Sequence, residues 1–307
     1  MKAAKQKQLW TGPECLVCLS TIAYDVLQRA TKDPAIQLKG MKKTYELLTG
    51  FTLQQLPTDI ANKIYQMIQN LTNNADPFKE IKIASKILAQ EAIERIRPHI
   101  MKENQPYKRF RKTLAAAITG NVIDFGTAGH SIQMNSEYLE HLYYQINEEG
   151  FAIDHSAQLF EAVSSELEIL FLADNAGEIF FDTFLLDQMQ IRGSNVILVV
   201  KGGAISNDAT LEDVDDPIFK KVASKIITTG SNALGVSLTE SSQEFLELLQ
   251  NVDLIIAKGQ SNFETVYYYH EKLTSKPVYF LFRTKCNRIA QFLGQSIGKN
   301  VVLGKNI

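Results

Sequence analysis

The sequence predicts an α/β fold, in which a Rossmann-like, mostly parallel sheet follows an all-helical N-terminal region. Two observations carry this expectation. Through about residue 150, apolar positions recur at three- and four-residue spacing; from about residue 155, short continuous apolar runs alternate with helical stretches. The first period is that of amphipathic helices. The second pattern belongs to parallel strands buried on both faces. The change divides the chain into an expected helical domain, 1–154, and an expected catalytic α/β domain, 155–307.

In the first part the periodicity predicts helices over 15–29, 60–71, 81–96, 107–119 and 138–146. Pro57 and Pro77 stand where helices begin, and Gly50 and Gly120-Asn121 where they end. In the second part the apolar runs 167–173, 196–200, 225–227, 254–257 and 278–282 are the expected strands. No internal repeat or low-complexity tract interrupts them.

Composition excludes several classes. Lys and Arg number 32 against 34 Asp and Glu, a net charge of −2, which leaves no basic field for a nucleic-acid backbone. No apolar stretch approaches the roughly 20 residues that cross a bilayer. The first residues, MKAAKQKQLWTGPEC, lack the apolar stretch of a secretory signal. A cytoplasmic location is expected, where three cysteines need not pair.

Ligands of an open parallel sheet bind outside the carboxyl ends of its strands. Here those ends read Asp174-Asn175-Ala176-Gly177-Glu178, Lys201-Gly202-Gly203 leading to Asn207-Asp208, Thr228-Thr229-Gly230-Ser231-Asn232, Lys258-Gly259-Gln260-Ser261-Asn262 and Arg283-Thr284-Lys285. Two carboxylates and an amide oxygen, from Asp174, Asp208 and Asn175, form a hard donor set suited to a divalent cation such as Mg²⁺ or Mn²⁺. Lys201, Lys258, Arg283 and Lys285 supply positive charge, and the glycines let backbone N–H groups approach an anion. A phosphate ester needs that combination, because its oxygens carry negative charge through displacement. Taken singly, an Asp-Asn after a strand reads as a cap, and a lysine there as a solvated strand end. Capping does not explain their recurrence at successive strand ends.

The segments ADNAGEIFFD, KGGAISNDAT, ITTGSNALGVSL, IIAKGQSNFE and FLFRTKC, with GNVIDFG ahead of them, resemble the damage-control phosphatases. Within that family the chain looks like the compact branch with an N-terminal Cys-x-x-Cys. The likeness runs from Cys15 to about Gly298. It implies a divalent metal (Mg, Mn, Co or Ni) on Asp174, Asn175 and Asp208. It also implies a small phosphorylated metabolite as substrate, with Lys258 and the basic residue after the last strand as phosphate contacts. Other branches carry Arg-Thr-x-Lys where this chain has Arg283-Thr284-Lys285-Cys286. Asn121 and Asp124 of GNVIDFG resemble a segment that reaches the site from the helical region.

Glu178 and Asp182 stand one turn apart on the helix that follows Asn175, where carboxylates complement the macrodipole or orient a metal-bound water. Cys15, Cys18 and Cys286 read as core packing or as an auxiliary metal site, though three thiols fall short of four zinc ligands. The basic run 108–112 reads as a solvated helix face, and the five histidines show no ligand spacing. Two rival readings stand beside the phosphatase. One is an S-adenosylmethionine-dependent carboxyl methyltransferase, although no Gly-x-Gly-x-Gly follows the first strand. The other is a metabolite-binding module without turnover.

Overall fold

The computed structural model describes residues 11–123, 135–163 and 166–307. Its helical part comprises α1 (Glu14–Ala30), α2 (Pro34–Thr49), α3 (Pro57–Thr72), α4 (Lys79–Met101), α5 (Pro106–Gly120) and α6 (Ser136–Glu149). Then follow β1 (Ile153–Asp154), α7 (Ser156–Ala162), β2 (Glu168–Leu172), α8 (Glu178–Ile191), β3 (Asn195–Val200), α9 (Pro217–Val222) and β4 (Lys225–Thr228). The last elements are α10 (Gln243–Asn251), β5 (Leu254–Lys258), α11 (Gln260–Tyr268), α12 (His270–Leu273), β6 (Val278–Arg283), α13 (Asn287–Phe292) and β7 (Asn300–Lys305).

Local chemistry sets many of these bounds. Proline occupies the first turn of α2, α3 and α5, where its missing N–H costs nothing. Asp33, Asn135, Asp216 and Ser242 each accept a backbone N–H at the start of their helix. Helix α2 ends at Gly50, as expected. Helix α4 begins two residues after Pro77, at Lys79.

The sheet runs β1-β7-β6-β5-β2-β3-β4. Strands β2 to β6 are the five expected apolar runs, and all pair in parallel. β7 pairs antiparallel to β6 and carries the two-residue β1 beside it, an edge that the apolar pattern does not announce. Alternate residues of the central strands feed opposite faces. Phe171, Leu198, Ile256 and Leu281 join one buried cluster with α4, α5, α6 and α8, while Leu172, Val199, Ala257 and Phe280 join another with α10, α11 and α13. The first cluster crosses residue 154, so helices from the first half and strands from the second bury one another.

A third cluster unites α1 and α3 with Phe78, Ile205 and Leu234, the last two lying on the connections after β3 and β4. Helices α1 and α3 thereby cover the carboxyl edge of the sheet. Strand order reverses between β2 and β5, and a sheet of this kind opens its ligand crevice at such a reversal.

Candidate active site

The connections after β2 and β3 are sewn together by backbone. Ala209 N–H donates to the Asp174 carbonyl at 2.8 Å, Ala176 N–H donates to the Asn207 carbonyl at 2.9 Å, and Asn175 pairs with Asp208 as an antiparallel bridge. Residues more than thirty positions apart in sequence are held in register by main chain alone. Gly259, which follows β5, has φ +78°, and a Cβ there would collide with the Asp174 carboxylate. Only glycine meets both demands at that position.

Beneath these residues lies a buried polar network. Arg283 N–H donates to Asn121 Oδ1 at 3.0 Å, which aims the Asn121 amide nitrogen at Asp174 Oδ2 (3.0 Å) and Glu178 Oε2 (3.0 Å). Asn175 Nδ2 donates to Asp174 Oδ2 at 3.1 Å and to Glu178 Oε2 at 2.8 Å, turning its amide oxygen away from both carboxylates. The Lys258 ammonium donates to Ala117 O at 3.0 Å, Glu178 Oε1 at 2.5 Å and Asp182 Oδ1 at 2.6 Å. Those three bonds use all of its donors.

Lys258, Glu178 and Asp182 are fully buried. Burial pushes the Lys258 pKa down, but the Asp182 and Glu178 carboxylates outweigh it and hold the ammonium charged. Burial pushes Asp182 up to about 7, against the pull of Lys258, and its Oδ2 has no hydrogen bond. Burial is the main cause, and repulsion from the Glu178 carboxylate adds to it.

A cavity of about 240 Å³ opens beside the network, lined by Asp174, Asn175 and Asp208, by Lys285, and by Cys15 and Cys18 of α1. Leu19, Ile22, Ala61 and Leu234 give it apolar walls. The three expected metal ligands therefore meet, with Lys285 on the same surface. Lys201, Lys258, Arg283 and Asn121, the other expected substrate contacts among the described residues, do not line it.

Lys258 is enclosed below the site, its donors spent on buried acceptors. Lys201, 3% exposed, donates to the Gly235 carbonyl at 2.6 Å and lies 3.6 Å from Asp208 Oδ2. It faces Asp208 rather than the cavity. Arg283 donates to Asn300 Oδ1 at 2.7 Å. Asn121 is fully buried and acts on Asp174. Asp124 lies outside the described residues.

Cys15, Cys18 and Cys286 are free thiols that gather on the cavity wall. Among the described residues no group of three or more His, Cys, Asp or Glu side chains is gathered closely enough to hold a metal ion, the three thiols included. Cys18 is exposed to the cavity, yet the protein packed around it penalises charge and pushes its thiol up to about 11.

The role of Glu178 and Asp182 has a sequence signal. Helix α8 is apolar on nearly every side, EIFFDTFLLDQMQI, and buried from Glu178 through Leu186. Carboxylates at i and i+4 of a helix buried all round require a cation. Nothing in the sequence names Lys258 as that cation, or singles out Arg288, which also lines the cavity.

Fold and site together define a Rossmann-like α/β protein with a carboxylate-and-amide centre at the reversal of strand order. Residues 11–301 match the family model described as the damage-control phosphatase ARMT1-like domain, and the chain belongs to the damage-control phosphatase family. An uncharacterised protein of Methanocaldococcus jannaschii is 34% identical over 294 residues, covering 95% of this chain and 94% of that one. A damage-control phosphatase of Pyrococcus horikoshii is 32% identical over 91% of this chain and 93% of its own length. One of Archaeoglobus fulgidus is 28% identical over 94% and 97%. The crystal structure of a DUF89 family protein from Pyrococcus horikoshii superposes with a TM-score of 0.83 at 31% identity, covering 95% of this chain and 98% of that one. The chain is thus a phosphatase by family, and the methyltransferase alternative is not favoured. No helix among the described residues is long and apolar enough to cross a membrane.

Proposed function

We propose that the protein is a divalent-metal-dependent phosphatase that hydrolyses phosphate monoesters of small metabolites, sugar phosphates or damaged phosphometabolites. We place it in the branch with the N-terminal Cys-x-x-Cys and in the cytoplasm, where free thiols suit a reducing compartment. The observation that carries the reading is the backbone bridge between the β2 and β3 connections, which sets Asp174 and Asn175 beside Asp208 on one cavity wall.

These residues fit a divalent ion. Asp174, Asp208, Glu178 and Asp182 are each at most 8% exposed and are opposed by the buried lysines 201 and 258, an excess of acid that a dication on Asp174 and Asp208 would balance. When bound, such an ion supplies Lewis acidity toward a phosphoryl oxygen and an incoming water. The chain's residues do the rest. Asn121 and Asn175 fix Asp174 through Oδ2, and Lys201 offsets the charge of Asp208. Lys285, on the same cavity surface, meets the phosphate, and the apolar walls limit water and strengthen these charges.

The test is phosphate release from a panel of phosphorylated metabolites by metal-stripped protein, resupplied in turn with Mg²⁺, Mn²⁺, Co²⁺ and Ni²⁺. Release is expected only with metal. Full activity in excess chelator overturns the metal dependence. Absence of release from every ester with every metal points to a binding module without turnover.

A further inference from the structure

We propose that Arg288 is an anion-binding residue of the cavity, and that Glu14 is a resident carboxylate which the incoming phosphate displaces from it. The premise is a shortage of cations. Of the four basic residues expected at the phosphate, only Lys285 lines the cavity, and a phosphate dianion against apolar walls needs more than one positive charge. Among the described residues Arg288 is the other basic side chain that lines the cavity.

The guanidinium is seated for the role. It reaches from the first turn of α13 to the first turn of α1, where Nη2 donates to Glu14 Oε2 at 2.8 Å and Nε faces Oε1. One prong is bonded and Nε has no hydrogen bond, so the guanidinium keeps a donor for the forked grip an arginine uses on phosphate. A Cβ on Gly12 would collide with the guanidinium, so the missing side chain there clears its seat.

The present partner is easily replaced. Both side chains are open to solvent, at 33% for Arg288 and 49% for Glu14, and exposed pairs of this kind are weak and screened by salt. Phosphate brings a higher charge to the same donors. Until then Glu14, with Glu264 on the same wall, repels an approaching anion. Glu14 therefore acts as a gate on anion entry.

The two partners should respond with opposite signs, which a merely structural ion pair cannot produce. Binding of inorganic phosphate by titration calorimetry, with and without added Mg²⁺, is compared for wild type, Glu14→Gln, Arg288→Gln and Arg288→Lys. Arg288→Gln should weaken binding about tenfold and Arg288→Lys less, since lysine keeps the charge and loses the fork. Glu14→Gln should tighten it several-fold. Melting temperatures check that each variant is folded, and Glu14→Gln alone remains decisive if Arg288→Gln is not. Weaker binding in Glu14→Gln, or unchanged binding in folded Arg288→Gln, overturns the proposal. The ligand's identity rests on the phosphatase reading, but the two fail separately. Opposite shifts without ester hydrolysis would leave this site standing and remove the reaction, whereas metal-dependent hydrolysis with same-sign shifts would do the reverse.

Discussion

Replacing Lys258 with Met separates two roles that the sequence cannot distinguish. A phosphate contact would raise KM and leave stability alone. In the structure the ammonium is fully enclosed and neutralises Glu178 and Asp182, so its loss strands two buried carboxylates. Breaking a buried pair by removing one partner costs about 3–5 kcal/mol. Against a typical total of about 5–15 kcal/mol, that is a large fraction. At roughly 2–4 °C per kcal/mol for a large domain, the melting temperature should fall by about 6–20 °C.

The pH dependence has a definite sign. Without the cation that pulls its pKa down, the buried Asp182 carboxyl ionises at still higher pH in the folded state than in the unfolded one, so stability is lost as pH rises. The deficit against wild type should therefore be largest near pH 8 and shrink toward pH 5. Adding Asp182→Asn should recover part of it by removing one uncompensated charge. Thermal unfolding by circular dichroism at three pH values, with KM measured on an aryl phosphate, decides the matter. An unchanged melting temperature with a tenfold higher KM would refute the buried-neutraliser role.

Other consequences follow from the same geometry. Asp174→Ala and Asp208→Ala should each abolish most turnover and metal binding with the fold intact, and the double variant should be scarcely worse, because groups acting as a unit are not additive; independent, additive stability losses with retained turnover would mark caps instead. Gly259→Ala should destabilise by about 1–2 kcal/mol through its positive φ, and should lower metal affinity by pushing Asp174 aside, which metal titration on the purified variant checks. In otherwise wild-type protein, Asp182 has a folded pKa of about 7, above its usual 3.8, so its contribution to stability is full below pH 4 and lost as pH rises through 7. Asp182→Asn should flatten the fall in melting temperature between pH 5 and 8, and an unchanged slope would show that Asp182 does not titrate there.

Much of the fold is legible in the chain because it is encoded locally. Helical spacing through residue 150 and five apolar runs after residue 155 report which faces are buried, and the structure returns those runs as β2 to β6. The donor chemistry is local too, since Asp174, Asn175 and Asp208 carry hard oxygens wherever they are placed. The edge formed by β1 and β7 escaped because two residues cannot show a period, and because Gly304 and Lys305 break off the apolar run of β7.

The partners of each charge were not legible. Lys201, Lys258 and Arg283 look alike at the ends of apolar runs, yet one lies beside Asp208, one is sealed beneath Glu178 and Asp182, and one bonds Asn300. Of the strand-end cations only Lys285 reaches the cavity, and α1, far away in sequence, completes the wall with Glu14, Cys15 and Cys18. The physical reason is that apolar burial is read from the periodicity of one segment, whereas the fate of a charge depends on which distant groups desolvate or neutralise it. That is fixed only when β2, β3, β5 and β6 stand side by side and α1 and α3 close over their ends.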